Sequence, residues 1–202
     1  MARHKITFVI HDYHTLLGTV AVLIGVLGYV PYYRDMFRGT TKPHPFTYFV
    51  WGLLATITLV AQISAGAGPG AWVSAIPVVT GFSIALFALV WGERKIVLLD
   101  WLCLIAALGI VFVWHLTHDA LYAVLLVMLI NAIAFVPTFR KSYSRPDEET
   151  ALSYATGALR SLIAIPALLS FNLTTVLPLA YHICANAALT VLLIMRRRAL
   201  RK

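Results

Sequence analysis

Apolar residues run through this chain in stretches of about 20, each interrupted by a short polar or glycine- and proline-rich break. The stretches are apolar on every side rather than along one stripe, so each face meets lipid or protein. A helix of that length covers about 30 Å, the thickness of a bilayer's hydrocarbon core. Seven spans are predicted, at about 15–36, 46–65, 71–91, 95–115, 119–141, 151–171 and 175–196. Turn and charge signals separate them. Gly39-Thr-Thr-Lys-Pro-His-Pro45 and Gly66-Ala-Gly-Pro-Gly70 make the first two breaks, and Gly92-Glu-Arg-Lys95 and His115-Leu-Thr-His-Asp119 the next two. Ser144-Arg-Pro-Asp-Glu-Glu149 and Phe171-Asn-Leu-Thr-Thr175 complete the set. The fold class expected is all-α, a polytopic membrane protein of seven helices.

The chain also repeats itself. Shifted by 137 − 31 = 106 positions, Pro31 falls on Pro137, Val30 on Val136, Arg34 on Arg140, Tyr48 on Tyr154 and Leu53 on Leu159, without a gap. Tyr29/Phe135, Tyr33/Phe139, Phe37/Tyr143, Thr47/Ser153 and Gly52/Ala158 are conservative matches between them. Apolar runs match easily by chance, but this match crosses a polar turn. It predicts three parts: a first three-helix repeat over 1–92, a linker helix over 93–117, and a second three-helix repeat with a basic tail over 118–202. An odd number of spans per repeat would invert the second copy, and the linker helix restores its sense. Parallel repeats of this kind are a transporter arrangement, with the solute near mid-bilayer where the repeats meet.

Composition agrees with the membrane reading: 60% of residues are hydrophobic, 12% are charged, and the mean hydropathy is +0.84. The net charge of +8 would suit a nucleic-acid binder, but the cations sit in short loops instead of on one patch. Arg34, Arg38, Lys42, Arg94, Lys95, Arg140, Lys141, Arg145 and the tail Arg196, Arg197, Arg198, Arg201 and Lys202 fall on one side, and only Arg3 and Lys5 on the other. By the positive-inside rule the C-terminus is cytoplasmic and the N-terminus outside, in a plasma or inner membrane. Cys103 and Cys184 both lie in apolar runs and read as buried thiols rather than a disulfide or metal pair. No cleavable leader is evident ahead of Pro31.

Val136-Pro-Thr-Phe139 followed by Arg140-Lys141, with its counterpart Gly28-Tyr-Val-Pro-Tyr-Tyr33, resembles the end of the first helix of a SWEET or PQ-loop repeat. Nearly the whole chain is similar in plan to the SWEET, SemiSWEET and PQ-loop superfamily. Tyr32 and Thr138 stand where a PQ pair has its glutamine, and helices 2 and 6 lack well-placed prolines: Pro45 and Pro146 come early and Pro166 late. The resemblance implies alternating access without an obvious ion drive and a central site for a sugar or small organic metabolite. Pro31 and Pro137 would then serve as hinges or gates, because a helical proline forfeits a hydrogen bond and kinks the backbone. Membrane helices also tolerate proline without any such role.

Polar residues within a bilayer are costly and gather on bundle interiors or wet paths. Counted inward at about 1.5 Å per residue, Thr56, Thr80, Asn131, Arg160 and Asn186 come to one depth, roughly 13–17 Å from the cytoplasmic helix ends. Thr80 and Asn186 are repeat equivalents, since 186 − 80 = 106. The resemblance implies that Asn186 is the pocket asparagine of the last helix. It also implies a pocket tryptophan, for which Trp51 is the candidate; Trp51 could equally be a gate or face lipid. Gln62 is a further lining candidate on the face of Trp51. Arg160 cannot shed its proton and must find acceptors. It either binds an anionic group of the solute or ties the bundle together through Asn131, helix carbonyls or Asp100. For the asparagines, hydrogen bonding between helices competes with a pocket role.

His11, Asp12, His14, His115, His118, Asp119 and His182 gather toward the outer face. Such a set could bind zinc and activate water, but no spaced hydrolase motif accompanies it. No metal, cofactor or catalytic residue is therefore assigned, and the chain is not read as an enzyme. The expected function is a SWEET-like transporter moving a small polar solute by alternating access. Its partners are that solute and the lipid bilayer, not nucleic acid; association into homo-oligomers stays open. The alternatives are a vitamin-precursor transporter of the PnuC type, a ligand or sorting receptor on the same fold, and the zinc hydrolase. The scattered tryptophans Trp51, Trp72, Trp91, Trp101 and Trp114 form no paired motif of the PnuC kind.

Overall fold

The fold is a computed structural model that describes residues 2–39, 43–92 and 98–200; the side chains of residues 2–12, 99, 100, 103, 137, 141 and 148 lie outside the description. Among the described residues there are seven α-helices: α1 Ala2–Phe37, α2 Pro45–Ser64, α3 Ala75–Trp91, α4 Leu98–Thr117, α5 Ala120–Ser144, α6 Ala151–Ala164 and α7 Leu173–Leu200. A 3-10 turn, Gly68–Ser74, leads into α3, and a shorter one, Pro146–Glu148, precedes α6. Local chemistry sets the ends. Gly39 and Gly66 follow α1 and α2 with φ of 73° and 75°, a conformation that suits glycine. Pro45 opens α2, where its missing N–H costs nothing, and the His44 ring accepts from Thr47 N. At the head of α5, Asp119 Oδ1 accepts from Leu121 N at 2.8 Å.

Five stretches are long and apolar enough to cross a bilayer: Tyr13–Phe37, Pro45–Ser64, Gly68–Trp91, Ala120–Ser144 and Leu173–Leu200. The chain is a helical membrane protein. Large apolar side chains cover its outside, among them Leu27, Val79, Leu86, Ile105, Phe112 and Ile133. An apolar surface this extensive belongs in lipid.

One of the predicted spans comes out shorter. Helix α6 has 14 residues, about 21 Å, and stops at Ala164 although the apolar run continues to 171. Pro166 explains the stop: it has no N–H to donate, and its ring crowds the preceding turn. The chain goes on in tight turns, Ala167 N to Ala164 O and Leu168 N to Ile165 O, with Ala167 and Leu168 fully buried. Helix α1 errs the other way, starting at Ala2 where the sequence predicts about 15.

Helix α3 packs between α1 and α2, and α7 packs between α5 and α6. The two groups meet along α1 with α6 and along α2 with α5, while α4 lies against α5 and α2. Each meeting line has its own core. Val50, Leu54, Ile57 and Ala61 of α2 pack with Ala107 and Ile110 of α4 and with Ala123, Val124, Val127 and Met128 of α5. Ala21, Ala71, Val73, Ile76, Ala164, Leu168 and Leu179 form the other. Backbones come close where side chains are absent: a Cβ on Gly81 of α3 would lie 2.7 Å from the Cα of Gly52 on α2. At one end of the bundle the α2–α3 and α6–α7 connections hydrogen-bond to each other, Gly70 N to Ala167 O and Leu169 N to Ala67 O, both at 3.0 Å.

Candidate solute site

Helix α6 carries the site's charge. Two glycines of α1 let it approach: a Cβ on Gly25 would stand 3.0 Å from Arg160 Cδ, and one on Gly28 2.6 Å from Thr156 Oγ1. Arg160 is thereby held inside the bundle, 9% exposed. Its guanidinium carbon lies 5.8 Å from the centroid of the Tyr29 ring, and it makes no hydrogen bond or ion pair among the described residues. Both Nε and Nη1 are shielded from solvent and unpartnered. A charge in such a setting is expensive, because an aromatic face offsets only about 2 kcal/mol of the desolvation.

Beside it, α7 presents a stripe at a spacing of four residues. His182 Nδ1 donates to Pro178 O at 2.7 Å, since a carbonyl can only accept. Asn186 Nδ2 donates to His182 O at 2.8 Å, and Thr190 Oγ1 to Asn186 O at 2.8 Å. The Pro178 bond fixes the histidine proton on Nδ1 in the neutral ring and leaves Nε2 a lone pair. Between α6, α7 and the start of α3 lies a cavity of about 20 Å³, room for roughly one water. Val73, Ser74, Pro77, Arg160, Ser161, Pro178, Leu179 and His182 line it.

Of the residues singled out in the sequence, Arg160 lines this cavity and Asn186 sits one turn along α7 from His182. A Cβ on Gly157 of α6 would be 3.1 Å from Asn186 Oδ1, so the carboxamide rests on bare backbone. Thr80 lies on α3 one turn from Pro77, with its hydroxyl turned back onto Ile76 O at 2.9 Å. Thr56, half-buried on α2, does the same to Gly52 O at 2.8 Å. Asn131 is half-buried on α5 and bonds to nothing among the described residues, Arg160 included. Trp51 packs against the α2–α4–α5 core, its ring 5.3 Å from that of Tyr48. None of these four lines the cavity. Gln62 is wholly buried and already engaged: its Nε2 donates to Thr175 O at 3.0 Å, and its Oε1 accepts from Ser74 Oγ at 2.6 Å. Pro31 lies within an unbroken α1. Pro137 lies within α5, but its side chain and that of Asp100 fall outside the described ones.

Ser161, Tyr29 and the glycines at 25 and 157 carry no site signal in the sequence, and His182 stands there only among the outer-face histidines. The spacing of His182 four residues before Asn186 was a usable signal, because i and i+4 share a helix face. His182 does not join the outer histidines. The rings of His115 and His118 lie 6.0 Å apart, and no three metal-binding side chains come together among the described residues. No family model, curated protein or solved structure matches this chain.

Proposed function

We propose that this protein is a SWEET-like transporter that moves a small polar solute across its membrane by alternating access. The observation that carries the proposal is a buried guanidinium without a partner, beside a cavity where α6, α7 and the start of α3 meet. Membrane proteins retain such a group where it meets a solute, an ion or water.

The packing supports a duplicated plan. α1, α3 and α2 relate to one another as α5, α7 and α6 do, and the cross-contacts α1–α6 and α2–α5 exchange under the same substitution. Helix ends agree: α2 and α6 open 151 − 45 = 106 residues apart, and α1 and α5 close 144 − 37 = 107 apart. Seven crossings in a 3+1+3 order, with the N-terminus outside and the basic tail in the cytoplasm, complete the reading. In it the hydrogen-bonded α2–α3 and α6–α7 connections close the outer end and part when the bundles rock. Pro31 and Pro137 sit near the opposite end, where the helices would flex. Asn186 and Arg160 hold the solute, and Thr80 lies one turn along α3 from the cavity-lining Pro77.

Purified protein in liposomes tests this. A transporter exchanges labelled solute across the membrane in counterflow, at a rate that saturates with concentration. A receptor on the same fold retains the label without moving it, and that result with every solute class would defeat the proposal.

A further inference from the structure

We infer that the solute group held at Arg160 is the carboxylate of a small monoanion, an inference that rests on the transport reading above. A buried guanidinium needs acceptors for its N–H groups and an opposite charge to offset its own. The described residues supply neither: no Asp or Glu lines the cavity, and Nε and Nη1 have no partner. Water or a sugar hydroxyl would satisfy the N–H groups and leave the charge standing. An anion does both, and hydrogen bonds between ionised partners are about twice as strong as neutral ones.

The lining narrows the class. Arg160 is the sole cation among the lining residues, so one negative charge balances the site and a phosphate dianion over-fills it. Val73, Pro77, Pro178 and Leu179 make up half of the wall, which suits a short carbon body that a halide lacks. Tyr29 lies over the guanidinium at 5.8 Å, which favours approach at its edge, where carboxylates pair with it. His182 lines the same cavity, and with Nδ1 committed to Pro178 its Nε2 lone pair can accept a hydrogen bond from a hydroxyl beside the carboxylate. A 2-hydroxy acid of lactate size meets all of these conditions. The cavity of about 20 Å³ takes only a water as it stands, so the solute enters when the bundles part.

The test is thermal unfolding of the full-length protein in detergent, with sodium lactate, sodium chloride, sodium phosphate and glucose at matched ionic strength and pH. Counterflow of labelled lactate in liposomes accompanies it. Lactate is expected to raise the unfolding temperature, because a ligand of the folded state stabilises it by mass action. Arg160→Gln should abolish that shift. Should Arg160→Gln fail to fold, Arg160→Lys, which keeps the charge but loses the planar fork, should need about tenfold more lactate for the same shift. An equal shift in the variants, or one matched by chloride, overturns the carboxylate. Saturable glucose exchange without any response to lactate also overturns it and leaves the transport reading intact. An Arg160-dependent lactate shift without exchange of any solute upholds the site and overturns transport.

Discussion

Arg160 lies under the ring of Tyr29, guanidinium carbon to ring centroid 5.8 Å, and no carboxylate among the described residues reaches it. Stability and function therefore pull this residue in opposite directions. Replacing a buried charge with an apolar side chain of similar volume is often neutral or stabilising, by about 1–4 kcal/mol. Arg160→Met is expected to leave the empty protein at least as stable as the parent in a denaturation series, while counterflow falls to background. A variant that unfolds would instead make the arginine a structural tie.

The contact of Asn186 with Gly157 leaves little room for a side chain. With Oδ1 at 3.1 Å from a Cβ built there, Gly157→Val must displace the carboxamide and push α6 from α7. Overpacking of this kind costs about 1–3 kcal/mol. Gly157→Val is expected to lower the unfolding temperature and Gly157→Ala to do so less; equal stability of all three would show that Asn186 moves aside freely.

The paired connections offer a lock. Ala67 and Leu169 are joined by a 3.0 Å backbone hydrogen bond, a contact close enough to bring their Cα atoms into about the 4.4–6.8 Å range of a disulfide. In a background with Cys103 and Cys184 replaced, Ala67→Cys with Leu169→Cys should stop counterflow when oxidised and recover it on reduction. Full activity in the oxidised protein would mean that this end stays closed throughout the cycle.

Gln62 joins three elements: its own α2, Ser74 in the turn before α3, and Thr175 at the head of α7. Gln62→Leu keeps the bulk and leaves the Ser74 hydroxyl and a buried carbonyl short of partners. The expected loss is about 2–6 kcal/mol of stability, since each of the two stranded groups costs about 1–3 kcal/mol. A denaturant midpoint unchanged from the parent would mean that water replaces both bonds.

Helices were easier to read than the site. Length and hydropathy located α2, α5 and the body of α3 to within a few residues, because a bilayer demands long uninterrupted apolar helices. The stop of α6 at Ala164 is hidden in the sequence because hydropathy continues through Pro166 to Phe171, and membrane helices often run on through a proline. Here Gly70 supplies another hydrogen-bonding route, through its bond to Ala167 O. Depth along a helix singled out Arg160 and Asn186, but depth says nothing of azimuth. Thr56 and Asn131 share their level and lie on α2 and α5, away from the cavity lining. Gln62 looked like a lining residue because a polar side chain in an apolar run always does. Only its two partners, one of them 113 positions away, reveal what it holds.

That glutamine also breaks the symmetry of the proposed repeat. Its counterpart, 62 + 106 = 168, is Leu168, and the counterpart of Thr175, 175 − 106 = 69, is Pro69. The clasp therefore exists once and cannot be mirrored. In the duplicated plan proposed above, the first repeat supplies the latch and the second the charge, so the two would share the work between them.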